Sequence, residues 1–360
     1  MTKLHEIRKN GVSVWLDDLS RNRIESGELA KLRDLGVLGV TTNPSIFKAA
    51  ITAGADGIYG DDLNRLKADG ASTAEIVREL TVTDVQAACD VFSATYIETG
   101  NDGCVSIEVD PRLAFDGENT LKQAIELRKQ VNRPNVMIKI PATKESIPAI
   151  TGALANGISV NVTLIFSVQR YAEVIQAWLA GLEMAKENGR DLSNINSVAS
   201  FFVSRVDTAI DPLLTEIGST ASLALRGKSA IANAVLAYEL FERLQQDVRW
   251  KLLASAGARI QRPLWASTGV KNPNYDPLLY VTDLVAPDTV NTMPQATINA
   301  LFESNAQFSF DMNFQAAAKT INSLSNFGVS FSEVLANLET AGVKQFVDAW
   351  SDLLNTVNNA

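Results

Sequence analysis

Asn135-Val136-Met137-Ile138-Lys139-Ile140-Pro141-Ala142 is an apolar, strand-like run with one lysine at its centre. At the two-residue period of a strand, Val136, Ile138 and Ile140 share one face, and Met137, Lys139 and Pro141 share the other. Low-dielectric surroundings disfavour an ammonium, so a lysine held on such a strand is a candidate Schiff-base nucleophile toward a carbonyl. The same placement suits a lysine paired with a carboxylate on a neighbouring strand, or one that reaches out at a strand end.

Composition narrows the chemistry around that lysine. The chain has 360 residues, 46% of them hydrophobic, enough for one large core or two ordinary ones. A net charge of −9 argues against a general nucleic-acid or anionic-membrane surface, so a phosphorylated ligand must be held by locally placed Arg or Lys. Met1 to Asn10 is polar and charged, and no apolar run approaches a membrane span, which leads to the expectation of a soluble cytoplasmic protein. Cys89 and Cys104 give neither a disulfide framework nor zinc spacing. His5 is the only histidine and sits near a terminus, which disfavours Ser-His-Asp, Cys-His and His-clustered metal chemistry. Proton transfers then fall to carboxylates, lysine, tyrosine or water.

Seven further strand candidates flank the lysine run: Val12 to Asp18, Gly36 to Asn43, Cys104 to Asp110, Ile158 to Phe166, Ile195 to Val203, Arg262 to Thr268 and Asp288 to Thr292. Period-two reading puts Ser13, Trp15 and Asp17 on one face of the first, with Asp18 suited to capping the next helix. Thr41 and Asn43 share a face at the end of the second, where Asn43-Pro44-Ser45 also suits a plain turn. Ser106, Glu108 and Asp110 share a face of the third, and, counting the lysine run as the fourth, Ser159, Asn161 and Thr163 share a face of the fifth and Ser200 and Phe202 a face of the sixth, which ends near Arg205. Val160, Val162 and Leu164 are expected on the opposite face from Asn161.

Helical sequence separates nearly all these runs, including residues 45 to 103 with a Ser72-Thr73-Ala74-Glu75 capping box, and a long region from Ala209 to Gly257. Strict β/α alternation of this count predicts a (β/α)8 TIM barrel over residues 1–297, followed by a C-terminal helical extension over 298–360. An open doubly wound sheet is the alternative, but the glycine-rich nucleotide turn it needs is missing. In a barrel Asp17, Asn43, Glu108, Lys139, Asn161, Thr163, Ser200 and Arg205 lie at or near the carboxyl-terminal strand ends, where such folds place their sites.

Trp15-Leu16-Asp17, Thr41-Thr42-Asn43-Pro44-Ser45, Ser106-Ile107-Glu108-Val109-Asp110 with Arg112, Ile138-Lys139-Ile140-Pro141-Ala142-Thr143, Asn161 to Ser167 and Ser200 to Arg205 together resemble the transaldolase family, in its order, over residues 10 to 294. The whole is similar to the longer bacterial form. The resemblance implies a transfer within the non-oxidative pentose phosphate pathway, moving a dihydroxyacetone unit from sedoheptulose 7-phosphate to glyceraldehyde 3-phosphate. It implies Lys139 as the imine-forming residue, Asp17 as the base at the C4 hydroxyl, and Glu108 with Thr163 as proton shuttles through a water. Asn43 and Asn161 would orient the three-carbon unit, with Thr41, Ser200 and Phe202 beside it and Arg205 on the phosphate. No metal or organic cofactor is implied; the partners are sugar phosphates, not nucleic acid or membrane.

One departure concerns the seventh strand. Shorter family members carry an arginine in an Ala-Ser-Phe-Arg-like run, where this chain has Ala266-Ser267-Thr268-Gly269-Val270-Lys271, leaving Lys271 as second phosphate cation or a solvated loop lysine. In the tail, Ser330 to Glu333 reads as a capping box, and Phe346, Trp350, Leu353, Leu354 and Val357 form an apolar helical face. That face suits docking on the barrel, a lid, or a contact within a homodimer. Two alternatives to transfer stay open: a fructose 6-phosphate aldolase-like lyase, which uses the same lysine, and a non-catalytic sugar-phosphate-binding barrel.

Overall fold

All eight runs become strands in the computed structural model, which describes residues 2–54 and 57–359. They are β1 (Val12–Leu16), β2 (Gly39–Val40), β3 (Cys104–Glu108), β4 (Val136–Pro141), β5 (Val160–Ile165), β6 (Ser197–Phe202), β7 (Arg262–Ala266) and β8 (Thr289–Met293). Neighbours pair in parallel in sequence order, and β8 pairs back to β1, so the sheet is a closed barrel. Helices fill the crossovers, and the strands are buried on both faces, which is why they read as near-continuous apolar runs.

Glycine is needed where the barrel interior is tightest. Trp15 is wholly buried inside, and a Cβ at Gly39 would stand 2.7 Å from its indole ring. The regular part of β2 is shorter than the predicted Gly36 to Asn43 because the following groups serve other partners. The Thr42 carbonyl accepts from Lys139 Nζ at 2.9 Å, and the Asn43 side chain accepts from the amides of Ser45 and Ile46. Pro44 then opens the helix Pro44–Gly54, as its missing N–H allows.

Other sequence expectations shift for local reasons. Asp110 lies beyond β3, where it caps the short 3-10 turn Pro111–Leu113 and pairs with Arg112, so it leaves the face of Glu108. Ser20, not Asp18, caps the helix Arg21–Glu25, while Asp18 pairs with Arg23. The pairing of β5 with β6 shifts register between Val162 and Ile165, and Leu164 takes a left-handed φ of 61°. That bulge breaks the alternation expected for Val160, Val162 and Leu164. The region from Ala209 to Gly257 divides into the helices Ser204–Ile217, Thr220–Leu223, Ser229–Leu244 and Val248–Ser255. Left-handed Gly218 stops the first of these, and Asp247 caps the last.

The helix Gln295–Glu303 follows β8 and runs through the 297/298 junction. The tail ends in the 29-residue helix Phe331–Asn359, roughly 43 Å long at about 1.5 Å per residue. It lies over the carboxyl-terminal end of the barrel. Gly342 allows the approach, since a Cβ there would stand 3.1 Å from Leu164 and 3.3 Å from Phe166. Leu353 and Val357 are wholly buried, and Arg170 grips Glu339 with two hydrogen bonds of 3.2 Å. No helix among the described residues is long and apolar enough to cross a membrane.

The opposite end of the barrel is plugged by ions. Arg262 donates to Asp102 at 3.0 Å, to Ser13 at 3.0 Å and to the Asn101 carbonyl, while Trp15 Nε1 donates to the same carboxylate at 3.2 Å. Both side chains of the pair are 7% exposed, so removing one partner strands the other charge in the interior. Asp102→Ala is therefore expected to cost about 3–5 kcal/mol in urea unfolding, and the double apolar variant D102L/R262M much less. A loss below about 1 kcal/mol for D102A would contradict this account of the plug.

Candidate active site

Strand register builds the centre of the site. Glu108 on β3 lies beside Lys139 on β4, which lies beside Asn161 on β5, so three polar side chains form one row. Lys139 is 5% exposed; its Nζ donates to the Thr42 carbonyl at 2.9 Å and stands 3.6 Å from Glu108 Oε2. The latter distance is an ion-pair contact too long for a hydrogen bond. The amine is thus fixed by one carbonyl and one carboxylate, with an orientation set by the barrel wall.

Asp17 follows β1 and faces the same space. Thr41 donates to Asp17 Oδ1 at 2.7 Å, and the hydroxyls of Thr41 and Thr292 are 2.6 Å apart. A hydroxyl has one proton to give, so with Asp17 ionised the chain runs from Thr292 to Thr41 to Asp17. Burial raises the Asp17 carboxyl above its ordinary value, while Lys139, the Thr41 hydrogen bond and Lys271 pull it back and Asp18 pushes it up. Such a carboxylate is a better proton acceptor than an exposed one.

Glu108 is shifted further. Burial pushes it up to about 7, partly opposed by Lys139 and slightly reinforced by Asp17. Its Oε2 and the Thr163 hydroxyl are both buried without a hydrogen-bond partner among the described residues. Asn161 is wholly buried; it donates to Ser106 at 3.0 Å and accepts from Ser200 at 2.7 Å.

These groups surround a cavity of about 120 Å³ at the carboxyl-terminal mouth of the barrel. Of the residues the sequence singles out, Asp17, Thr41, Asn43, Lys139, Thr163, Ser200, Phe202, Arg205 and Lys271 line it. Glu108 and Asn161 do not, and touch it only through Lys139 and Ser200. Asn43 combines both roles open to it, capping a helix with Oδ1 while lining the cavity.

The cavity has a cationic side. Arg205 lies in the first turn of the helix Ser204–Ile217, with its guanidinium 5.2 Å over the Phe202 ring, which packs at 5.1 Å on Phe166. Burial lowers its basicity, and among the described residues no carboxylate offsets that cost. A partly buried cation without an anion is suited to receive one. Lys271 is exposed at the rim, borders the cavity, and is near enough to act on Asp17.

Sequence reasoning missed Phe346 as a cavity residue. Its ring, 7% exposed, stands 5.5 Å from Lys139 Nζ and roofs the cavity from the C-terminal helix. Ser267, with a left-handed φ of 56°, and Thr292 also line it. The aromatic stripe of the tail was visible, but only the crossing of its helix over the mouth gives Phe346 this place. Among the described residues, no three His, Cys, Asp or Glu side chains are grouped to hold a metal ion.

Comparison with known proteins matches residues 14–357 to the model of the family described as transaldolase/fructose-6-phosphate aldolase. The chain is 53% identical to the transaldolase of Arthrobacter sp. (strain FB24), over all of this chain and 97% of that protein. It is 52% identical to the transaldolase of Thermobifida fusca (strain YX), over 98% of this chain and 97% of the relative. With the transaldolase of Mycobacterium leprae (strain TN) the identity is 54%, over 96% of this chain and 92% of the relative.

The environment of Glu108 has a consequence for stability. Its folded value of about 7 exceeds the ordinary 4.5, so the folded state holds this proton more tightly. The resulting stability is fully present below about pH 4.5 and is lost as pH rises through about 7. Urea unfolding between pH 4.5 and 8 should show wild type losing stability relative to Glu108→Gln across that window. A pH-independent difference between the two proteins would refute the shift.

Proposed function

The chain belongs to the transaldolase/fructose-6-phosphate aldolase family, and from that premise we propose a transaldolase that carries a dihydroxyacetone unit on Lys139 between two aldose phosphates. The observation that carries this reading is the placement of Lys139: a buried amine on the wall of a polar cavity, 3.6 Å from Glu108, with Asp17 lining the same space.

The donor is sedoheptulose 7-phosphate or fructose 6-phosphate. Lys139 attacks its C2 ketone, and loss of water from the carbinolamine leaves an imine that acts as an electron sink. Glu108, titrating near neutrality, and Thr163 handle the protons of that dehydration through a water, which their unpartnered buried oxygens would receive. Asp17 takes the C4 hydroxyl proton, the C3–C4 bond breaks, and an aldose phosphate departs. The enamine then adds to glyceraldehyde 3-phosphate or erythrose 4-phosphate by the same steps reversed.

Arg205 and Lys271 hold the phosphate at the cationic side of the cavity. Thr41, Asn43, Ser200 and Phe202 line the space for the three-carbon unit, and Asn161 acts on it through Ser200. Phe346 shields the enamine, since an apolar roof over Lys139 keeps bulk water from it. This favours transfer over the release of free dihydroxyacetone that a lyase would give.

Borohydride reduction with fructose 6-phosphate, followed by peptide mass spectrometry, is expected to leave a reduced adduct on Lys139, and turnover should require an acceptor aldehyde. Asp17→Asn should still be trapped by borohydride, as a donor adduct that keeps its carbon chain, while C–C cleavage falls by roughly 10²–10⁴-fold. An unlabelled Lys139 in folded, sugar-phosphate-binding protein would leave only a binding barrel. Phe346→Ala is expected to raise dihydroxyacetone release per transfer event; an unchanged ratio would deny the roof its role.

A further inference from the structure

Glu108 and Lys139 face one another but border different spaces. Lys139 lines the cavity described above, whereas Glu108 lines a second cavity of about 120 Å³ beside it. This second space lies between the end of β3 and the helices Pro44–Gly54, Thr73–Val91, Gly117–Val131 and Phe331–Asn359. The C-terminal helix supplies an aromatic residue to each: Phe346 to the lysine side and Trp350, one turn on, to the glutamate side.

The walls of the second cavity are not those of a dry void. Arg78, Thr81, Asp110, Arg112 and Gln123 contribute polar groups, and Arg112 is exposed at its outer side. Among the described residues, two buried polar atoms of lining residues find no hydrogen-bond partner: Glu108 Oε2, an acceptor on the side of Lys139, and Trp350 Nε1, a donor. A space of this size, with polar groups set in a partly apolar wall, holds about four waters at about 30 Å³ each. A sugar phosphate bound at Lys139 would occupy the first cavity, which Phe346 roofs, leaving the second as the path for water and protons.

We propose that the second cavity is a hydrated proton-exchange chamber for Glu108, through which the water lost on imine formation departs, and that Trp350 is a positioning residue holding a water against the Glu108 carboxylate. The proposal rests on the Lys139 imine. In the forward step the protonated Glu108 gives its proton, relayed by the water it shares with Thr163, to the carbinolamine hydroxyl as the C2–O bond breaks. The nitrogen lone pair forms the C=N bond, leaving an iminium on Lys139, one water and the Glu108 carboxylate. A proton from bulk solvent, relayed along the chamber waters, then reprotonates Glu108 and leaves those waters neutral. In hydrolysis the carboxylate takes a proton from the water that adds to C2. A value of about 7 for Glu108 suits a group that must gain and lose a proton in each turnover.

The test uses exchange of the C2 oxygen of fructose 6-phosphate with ¹⁸O-labelled water, which reads hydration and dehydration apart from C–C cleavage. Trp350→Phe keeps an aromatic ring but removes the N–H. Its exchange rate is expected to fall about tenfold, the scale of one lost hydrogen bond to a charged group, with KM for fructose 6-phosphate within about twofold. The neutral limb of its pH–rate profile should move upward, because the lost donor had favoured the carboxylate. Trp350→His, which retains an N–H, should recover part of the exchange. Ala74→Leu, which adds bulk at an exposed rim position and removes no hydrogen bond, should also slow it.

Unchanged exchange and an unchanged pH profile in both W350F and A74L, with the Lys139 adduct still trapped, would overturn the chamber and leave the imine mechanism standing. Equal losses in exchange and in C–C cleavage with no movement of the pH profile would reduce Trp350 to a packing role and likewise overturn it. Absence of any trapped adduct in wild type would remove the imine and the chamber together.

Discussion

A charged amine buried in a barrel wall is costly unless opposing groups meet it, and the upper half of this molecule is arranged around meeting it at Lys139. The Thr42 carbonyl and the Glu108 carboxylate do so from β2 and β3, at 2.9 and 3.6 Å. Each compensating group is then held by a further one. Thr42 Oγ1 donates to the Ser106 carbonyl at 2.8 Å, and Ser106 accepts from Asn161, which accepts from Ser200. The polar row therefore tolerates little local change, because a substitution at one member leaves a neighbour buried and unpaired.

The same burial divides the labour of the carboxylates. Glu108 is raised to about 7 chiefly because it is desolvated beside a cation it does not fully engage. Asp17 is also raised by burial but is held by a Thr41 hydrogen bond within a hydroxyl chain reaching Thr292. Two acids on one barrel mouth thus acquire different proton affinities from their surroundings, which is what separate proton-transfer steps need. The cation at Arg205 completes the asymmetry, since it has no acidic partner among the described residues and leaves one end of the cavity positive.

The C-terminal helix links stability to chemistry. Its buried stripe of Phe346, Leu353 and Val357 stabilises the tail by apolar burial, and Gly342 lets it lie close on Leu164 and Phe166. Leu164 holds a left-handed conformation beside Thr163, a strained geometry sustained where the β5 bulge and the overlying helix fix it. The residue that roofs Lys139 is therefore placed by packing interactions spread over several turns of helix.

Much of this was legible in the linear order of residues. Alternation of strand-like and helical runs is a local property, so eight strands, their sequence-order closure and the outward or inward sense of most residues followed from period and count. Lys139, Asp17 and Glu108 stood out because a charge on an apolar strand must be explained by what it faces. Local reading failed where a neighbour overrode the period: at the β5 bulge that turns Leu164, and at Asp110, which Arg112 two residues on draws out of the row. Only the tertiary structure brought Phe346 over Lys139, opened two cavities on either side of the Glu108–Lys139 pair, and set the carboxylates apart in proton affinity. Those features depend on distances between segments more than three hundred residues apart, such as Asp17 and Phe346, and on the exclusion of water between them, and neither is encoded in periodicity. The sequence by itself determined the barrel and the chemical groups at its mouth; tertiary packing decided their spacing, their desolvation and the helix that covers them.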